Sequence, residues 1–264
     1  MGGFRWHSEA RLFGPDAATV LRPAPLFGVQ PDRPVPEALS AAFGAAPFRI
    51  GAVDAPAPAS GFETLTSGST GTPRRIWRDA PSWQASFAVN ARLLGIGPGL
   101  RVAVLGRLVQ SLSLYGAVEA LSLGADLHVL EGMRPDRQRE ALAARQVGLL
   151  WASPPQLRLL VEAGGPELPL MHHVLVGGAK LDAGLRAALA RMCPQAAVRE
   201  FYGAAEASFV ALANADTPDH AVGHPYPGVE IGIGGPGLAE AEGQIWVRSP
   251  YLFKGYAGAD VGMA

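Results

Sequence analysis

Leu65-Thr66-Ser67-Gly68-Ser69-Thr70-Gly71-Thr72-Pro73-Arg74 is the stretch on which the reading of this chain turns. From Thr66 to Gly71 every position is a hydroxyl residue or a glycine, and a cation follows at Arg74. Glycine lets a backbone approach a ligand closely. Backbone N–H groups in such a loop, with hydroxyls beside them, can surround phosphate oxygens. The Arg74 guanidinium adds a fork of donors that matches phosphate geometry. The loop is not the common P-loop. That pattern, GxxxxGK(S/T), needs a Gly-Lys-Ser or Gly-Lys-Thr, and neither occurs in the chain. A polar surface turn is the plain alternative.

Outward from the loop the pattern becomes regular. The Pro-Ala stretch from Ala55 to Ser60 reads as an exposed connection into the loop. Beyond it, Asp79 with Pro81 marks a helix start. Trp83, Phe87, Ala91 and Leu94 then fall at helical spacing, and Gly95 ends the run. Apolar, strand-like runs at 101–105, 125–130, 147–152, 173–176 and 198–201 alternate with helical patterns at 112–123, 134–146, 155–163 and 182–192. This alternation predicts parallel βαβ units: an α/β fold with a doubly wound, mostly parallel sheet and flanking helices. From residue 208 short strands at 229–233 and 244–247, separated by Gly-rich turns, predict a small C-terminal β subdomain. Ligands of open parallel sheets bind at the carboxyl ends of strands. Ser153, Gly177-Gly178 and Tyr202-Gly203 each follow a strand, so one crevice is expected to gather them.

Bulk properties narrow the class. Hydrophobic content of 48% with 17% charged residues suits a globular protein. A formal net charge of -1 leaves no electrostatic footprint for nucleic acid or an anionic membrane. No apolar run reaches the roughly 18 residues of a membrane span. The single cysteine, Cys193, excludes an internal disulfide and fits a reducing compartment. The first fifteen residues do not read as a signal peptide, so the cytoplasm is the expected location. His172 and His173 lack the further ligands that a metal site needs.

The loop resembles the phosphate loop of the adenylate-forming superfamily, roughly TSG(S/T)TGxPK, with Arg74 where Lys is usual. That superfamily comprises acyl- and aryl-CoA synthetases, luciferases and peptide-synthetase adenylation domains. Further blocks match in order. Trp151-Ala152-Ser153-Pro154-Pro155 resembles a segment near the acyl pocket, Val176-Gly177-Gly178-Ala179-Lys180-Leu181 the GGAPL turn, and Phe201-Tyr202-Gly203-Ala204-Ala205-Glu206 the YGxTE motif. Gly223-His224-Pro225 with Pro227-Gly228-Val229, and Gly243-Gln244-Ile245-Trp246-Val247-Arg248 with Lys254-Gly255-Tyr256, match the later GxP...PG and GEIxVR...GY blocks. The likeness runs from Phe62 to Tyr256 and is carried by the joint order and spacing of the blocks.

The resemblance implies ATP-dependent activation of a carboxylic acid (fatty, aryl or similar) to an acyl-adenylate. Thioester formation would follow, with CoA or the phosphopantetheine of a carrier protein. Thr66, Ser67, Gly68, Ser69, Thr70 and Gly71 would hold the phosphates, with Thr70 and Arg74 acting in catalysis. Gly178, Ala179, Phe201, Tyr202, Gly203, Ala204 and Ala205 would surround the nucleotide, Tyr202 stacking on adenine. Glu206 would carry Mg²⁺, which takes one or two carboxylates beside phosphate oxygens. Gln110, Ser111, Ser153, Gly177, Gly178 and Gly203 are the candidates for the acid, and Trp151, Leu112, Tyr115 and Val176 could line an apolar pocket. No Asp stands in an obvious place to hold an α-amino group, which favours a simple acid.

On this reading residues 1–207 form the α/β nucleotide- and acyl-binding region of a large N-terminal domain, residues 208–264 the small β-rich subdomain, and the family's C-terminal lid domain is absent. Three departures stand out. The Thr of YGxTE is Ala205; the chain stops at Ala264, short of the TGD block; and only residues 1–64 precede the loop. The chain is then a piece of a longer protein or a reduced form. A degenerate, non-catalytic nucleotide-binding module, or a half-enzyme completed by a separate partner, is the rival expectation.

Overall fold

The computed structural model describes residues 3–20, 26–66, 73–214, 216–239 and 242–257. Their elements are β1 (Leu12–Phe13), β2 (Thr19–Val20), β3 (Gly28–Gln30), α1 (Val35–Ala42), β4 (Phe48–Ile50), β5 (Phe62–Leu65), β6 (Arg75–Arg78), α2 (Ala80–Leu94), β7 (Arg101–Val104), α3 (Ser111–Leu123) and β8 (Asp126–Val129). There follow α4 (Pro135–Ala144), β9 (Leu149–Ala152), α5 (Pro154–Glu162), β10 (His173–Val176), α6 (Ala183–Met192), β11 (Ala197–Ala204), β12 (Ser208–Leu212), β13 (His224–Pro225), β14 (Glu230–Ile233), β15 (Ile245–Arg248) and β16 (Gly255–Tyr256).

Nine strands form one sheet in the order β13-β12-β11-β10-β9-β7-β8-β1-β2. The six from β11 to β1 pair in parallel, and the antiparallel pairs lie at the two edges. The expected α/β fold with a mostly parallel sheet is therefore present. Strand pleat sends successive side chains to opposite faces. Val102, Val104, Leu149 and Trp151 join one hydrophobic core. Ala103, Leu150, Ala152, Val174 and Val176 join another, with Leu142, Leu157 and Leu189 from α4, α5 and α6. Both faces are covered, so these strands read as unbroken apolar runs.

A second sheet, in the order β16-β6-β5-β4-β3, packs on the first core. Phe48 and Phe62 lie opposite each other in register, rings stacked at 5.2 Å. The connection from Ala55 to Ser60 is largely exposed, as expected, but its backbone also serves the interior. The carbonyls of Ala52, Ala55 and Pro56 accept from the buried Arg49 guanidinium, which also pairs with Glu63 at 2.7 Å. The segment wraps a buried cation and enters strand β5 before it reaches the loop. Beyond residue 208, β12 stays in the large sheet, β14 and β15 pair with each other, and β16 returns to the second sheet.

α3 packs on strands β7, β8 and β9 of the large sheet, and α2 packs on α3, joined to it by a buried polar cluster. Glu119 Oε1 accepts from Asn90 Nδ2 at 2.8 Å and from the Tyr115 hydroxyl at 2.9 Å, and the Tyr226 hydroxyl donates to Asn90 Oδ1 at 2.7 Å. Glu119 is fully buried and its Oε2 has no partner among the described residues. Burial pushes its carboxyl up to about 8 from 4.5. Between those values the native state keeps a proton that the unfolded chain has released, so stability falls as pH rises through that window. Glu119→Gln is expected to melt about 3 °C or more above the parent at pH 9, with the gap closing by pH 5. Differential scanning calorimetry reads the gap. A gap independent of pH would show that Glu119 is not held protonated.

Candidate active site

A cavity of about 600 Å³ opens at the carboxyl ends of the large sheet's strands, where it meets the second sheet. Its walls include Thr66, Arg74, Gln110, Ser111, Ser153, Gly177, Gly178, Ala179, Phe201, Gly203, Ala204, Ala205 and Glu206. The expected crevice thus gathers thirteen of the residues singled out in the sequence. Ser67, Gly68, Ser69, Thr70 and Gly71 lie outside the described residues. Tyr202 is 41% exposed and stands one residue before the wall residue Gly203, not in the wall. Of the apolar candidates, Trp151, Leu112 and Tyr115 face the cavity, whereas Val176 is buried in the opposite core.

The root of the phosphate loop is closed on itself. The Thr66 N–H donates to the Arg74 carbonyl at 2.9 Å, and the Arg74 N–H donates to Thr66 Oγ1 at 2.9 Å. The same root is tied to the start of α3. Leu65 N–H donates to Val109 O at 3.1 Å, and Ser111 Oγ donates to Leu65 O at 2.9 Å. The Ser111 hydroxyl thus gives its proton to the backbone and keeps its acceptor capacity at the cavity wall.

Glycines set how closely the walls approach. A Cβ on Gly177 would stand 2.2 Å from the Phe201 ring, and one on Gly203 2.0 Å from Ser208 O. Gly203 follows the register shift of β11 against β12, so the bulge turns the chain toward the cavity. α5 starts at Ser153, whose N–H donates to Gln156 Oε1 at 2.9 Å and so fixes the Gln156 amide.

Glu206 sits in the turn between β11 and β12. The Tyr256 hydroxyl donates to its Oε1 at 3.1 Å, and the Arg74 guanidinium lies 3.4 Å from the centre of the Tyr256 ring. Burial first, then the neighbouring Glu206, raises the Tyr256 phenol, which keeps it protonated as that donor. Loop, turn and strand β16 thus meet at one edge of the cavity. Glu206 Oε2 has no hydrogen-bond partner among the described residues. No group of three His, Cys, Asp or Glu occurs there either. One free carboxylate oxygen facing a cavity fits Mg²⁺, which completes its shell with phosphate oxygens and water.

A residue outside every motif holds this turn. Arg78, at the end of β6, is fully buried. Its guanidinium donates to the carbonyls of Ala205, Glu206 and Tyr251 and to Ser208 Oγ, the last at 2.7 Å. Burial lowers its pKa to about 10, which leaves it charged at neutral pH. A buried arginine needs acceptors, but in the Arg-Ile-Trp-Arg sequence of β6 nothing local marks Arg78 as the buried one or names its acceptors. Trp83 and Phe209, also in the wall, lie outside the motifs as well.

The AMP-binding enzyme family model matches residues 51–257. The chain belongs to that family. YhfT of Bacillus subtilis, an uncharacterized acyl-CoA ligase, is 33% identical over 200 residues, which cover 73% of this chain and 41% of YhfT. VraA of Staphylococcus epidermidis, a putative long chain fatty acid-CoA ligase, is 32% identical over 196 residues, 74% of this chain and 43% of VraA. Among solved structures, the amide bond synthetase McbA of Marinactinospora thermotolerans superposes with a TM-score of 0.61 at 29% identity, covering 74% of this chain and 41% of McbA. The chain thus spans about two fifths of the length of these relatives.

Replacing Arg78 by Met would leave the Ala205 carbonyl without its donor, and the Glu206 and Tyr251 carbonyls with only Phe253 N–H and Ser208 Oγ. Arg78→Met is expected to cost about 3 kcal/mol or more, as a lower urea midpoint at unchanged slope. An unchanged midpoint would show that the turn holds without the guanidinium.

Proposed function

We propose that this chain activates a carboxylic acid with ATP, forming an acyl-adenylate and pyrophosphate. The observation that carries the reading is the meeting of Thr66, Arg74 and Glu206 with the glycine turns at 177–178 and 203 around one cavity. Family membership supports a nucleotide substrate, and the cavity is the proposed place where it and the acid meet. Ringed by strand ends, the cavity offers hydroxyl and guanidinium donors and one carboxylate, with Arg74 and Glu206 on the same edge beside Tyr256.

In the proposed reaction a carboxylate oxygen of the acid attacks the α-phosphorus of ATP. The bond from that phosphorus to the bridging oxygen breaks, and pyrophosphate leaves with the electron pair. A carboxylate is already ionised at neutral pH, so no general base is needed. The work left to the protein is positioning and charge stabilisation. Arg74 faces the phosphates with fixed positive charge, and Thr66 holds the loop root in register with it. Tyr256 orients Glu206 from behind, leaving the second oxygen for a cation. Mg²⁺ held by Glu206 would supply neutralisation of phosphate charge. Tyr202, exposed beside Gly203, is the proposed platform for adenine, and Ser67, Gly68, Ser69, Thr70 and Gly71 the proposed phosphate cradle.

The proposed product is an intermediate for thioester formation, with CoA or a carrier-protein phosphopantetheine as acceptor. The names of YhfT and VraA support an acyl-CoA ligase reading. Among the described residues no helix is long and apolar enough to cross a membrane, which agrees with small, diffusible substrates.

Isothermal titration with ATP, with and without Mg²⁺, tests the reading. ATP is expected to bind more tightly with Mg²⁺. Glu206→Gln is expected to lose about tenfold of the Mg²⁺-dependent affinity, as one charged contact implies, and little of the metal-free affinity. Equal affinities for Glu206→Gln and the parent under both conditions would remove Glu206 from the metal role. No binding by the folded parent would remove the reading itself.

A further inference from the structure

The acid end of the cavity has two features that the adenylation reading does not require. The first is an aromatic floor. Trp151 is 2% exposed, and its ring meets Tyr115 at 5.5 Å and Phe209 at 6.1 Å. Tyr115 meets Phe209 edge to face at 5.3 Å. The Tyr115 hydroxyl is bonded to Ser86 and Glu119 behind the wall, so its ring cannot swing away without breaking buried hydrogen bonds. The Trp151 indole lies against the backbone of α3 at Gly116, where a Cβ would stand 2.6 Å from it. The indole fills the space between β9 and α3 and stops the cavity there.

The second feature is a neutral polar cluster one helical turn away. Ser113 and Gly116 are three apart and share a face of α3. Ser113 Oγ, Gln156 Nε2 and Gln110 Oε1 stand 2.6, 2.8 and 3.1 Å from the position a Cβ on Gly106 would take. All three residues line the cavity. Gln156 Oε1 is taken by Ser153, which turns Nε2 toward the cluster as a donor. None of the three converging atoms has a hydrogen-bond partner among the described residues. Together they offer a fixed donor, an amide acceptor and a hydroxyl that serves as either. Among the described residues the charged side chains in the cavity wall are Arg74 and Glu206, both outside this cluster.

We propose that the acid activated here is a compact ring-bearing carboxylic acid with a neutral hydroxyl-type substituent. The ring packs on Trp151, Tyr115 and Phe209, and the substituent is held by Ser113, Gln110 and Gln156. The inference rests on the adenylation reading for the place of the carboxylate. Aromatic rings gain from edge and offset packing on such a wall. A few placed polar groups in an apolar pocket set orientation and selectivity. A long unbranched acyl chain meets the closed floor, and an amino or second carboxylate group finds no counter-charge in the cluster.

Calorimetric titration of the full chain with 4-hydroxybenzoate, benzoate, octanoate and hexadecanoate tests this, each with and without a non-hydrolysable ATP analogue and Mg²⁺. The expected order places 4-hydroxybenzoate about threefold to tenfold tighter than benzoate, the worth of one net hydrogen bond. Hexadecanoate is expected to bind weakest. In the double variant Ser113→Ala, Gln110→Met the hydroxyl preference is expected to fall toward onefold while benzoate affinity holds. Both substitutions are small and leave the floor intact. Hexadecanoate binding as tightly as the ring acids, or a hydroxyl preference unchanged in the double variant, would overturn the proposal. Nucleotide binding without any ring-acid binding would overturn it and leave adenylation standing. Ring-acid binding with the hydroxyl preference but no nucleotide binding would sustain the ring-acid pocket and overturn its role in adenylation.

Discussion

The candidate site depends on one buried guanidinium. Arg78 belongs to the second sheet, yet its hydrogen-bond partners lie in the β11–β12 turn and at Tyr251. A charge withdrawn from water is tolerated only when most of its donors are satisfied; these carbonyls and Ser208 Oγ take both terminal nitrogens, and Nε alone has no partner among the described residues. The same bonds fix the backbone of Ala205 and Glu206, so the candidate metal ligand inherits its position from a residue that never touches the cavity. Apolar packing between the two sheets is not directional, and this tie adds direction to it, together with the Tyr256–Glu206 and Leu65–Val109 hydrogen bonds.

From that anchor the cavity divides by chemistry. Its outer edge is charged: Arg74 packs on the Tyr256 ring, and the Tyr256 hydroxyl steers Glu206. Its inner wall is aromatic and sealed, with Trp83, Tyr115 and Trp151 each no more than 5% exposed. A substrate with an anionic end and an apolar body is oriented by this division alone, because reversing it would place the charge among rings. Gly177 serves the division by letting the Phe201 ring approach the strand end. Hydrogen bonds from Ser111 and Leu65 then hold the loop root against the helix that carries Tyr115.

Much of this was legible in the sequence where the determinants are local. The central strands of the large sheet are buried on both faces, so they show as apolar runs, and Gly95 and Gly124 end α2 and α3 in the left-handed conformation. The motif turns were legible for the same reason, since Gly177-Gly178 and Ala204-Ala205-Glu206 are consecutive residues. The second sheet was not. Its strands β3 and β4 have three residues each and lie in Pro-rich sequence, and β16 pairs with β6 across most of the chain. Arg78 was missed because its acceptors are up to 173 positions away. Ser111 was read as a group for the acid; that its hydroxyl also donates to Leu65 O is a pairing that only the folded chain reveals.

Oxygen transfer from the acid to the nucleotide tests the central claim most directly. The chain would be incubated with Mg-ATP and a pool of acids whose carboxylates carry oxygen-18, and the nucleotide products analysed by mass spectrometry. Attack of a carboxylate oxygen on the α-phosphorus predicts AMP carrying one heavy oxygen and pyrophosphate carrying none. Unlabelled AMP, or ADP in its place, would contradict the account, because the acid's oxygen would then never have become bonded to the α-phosphate.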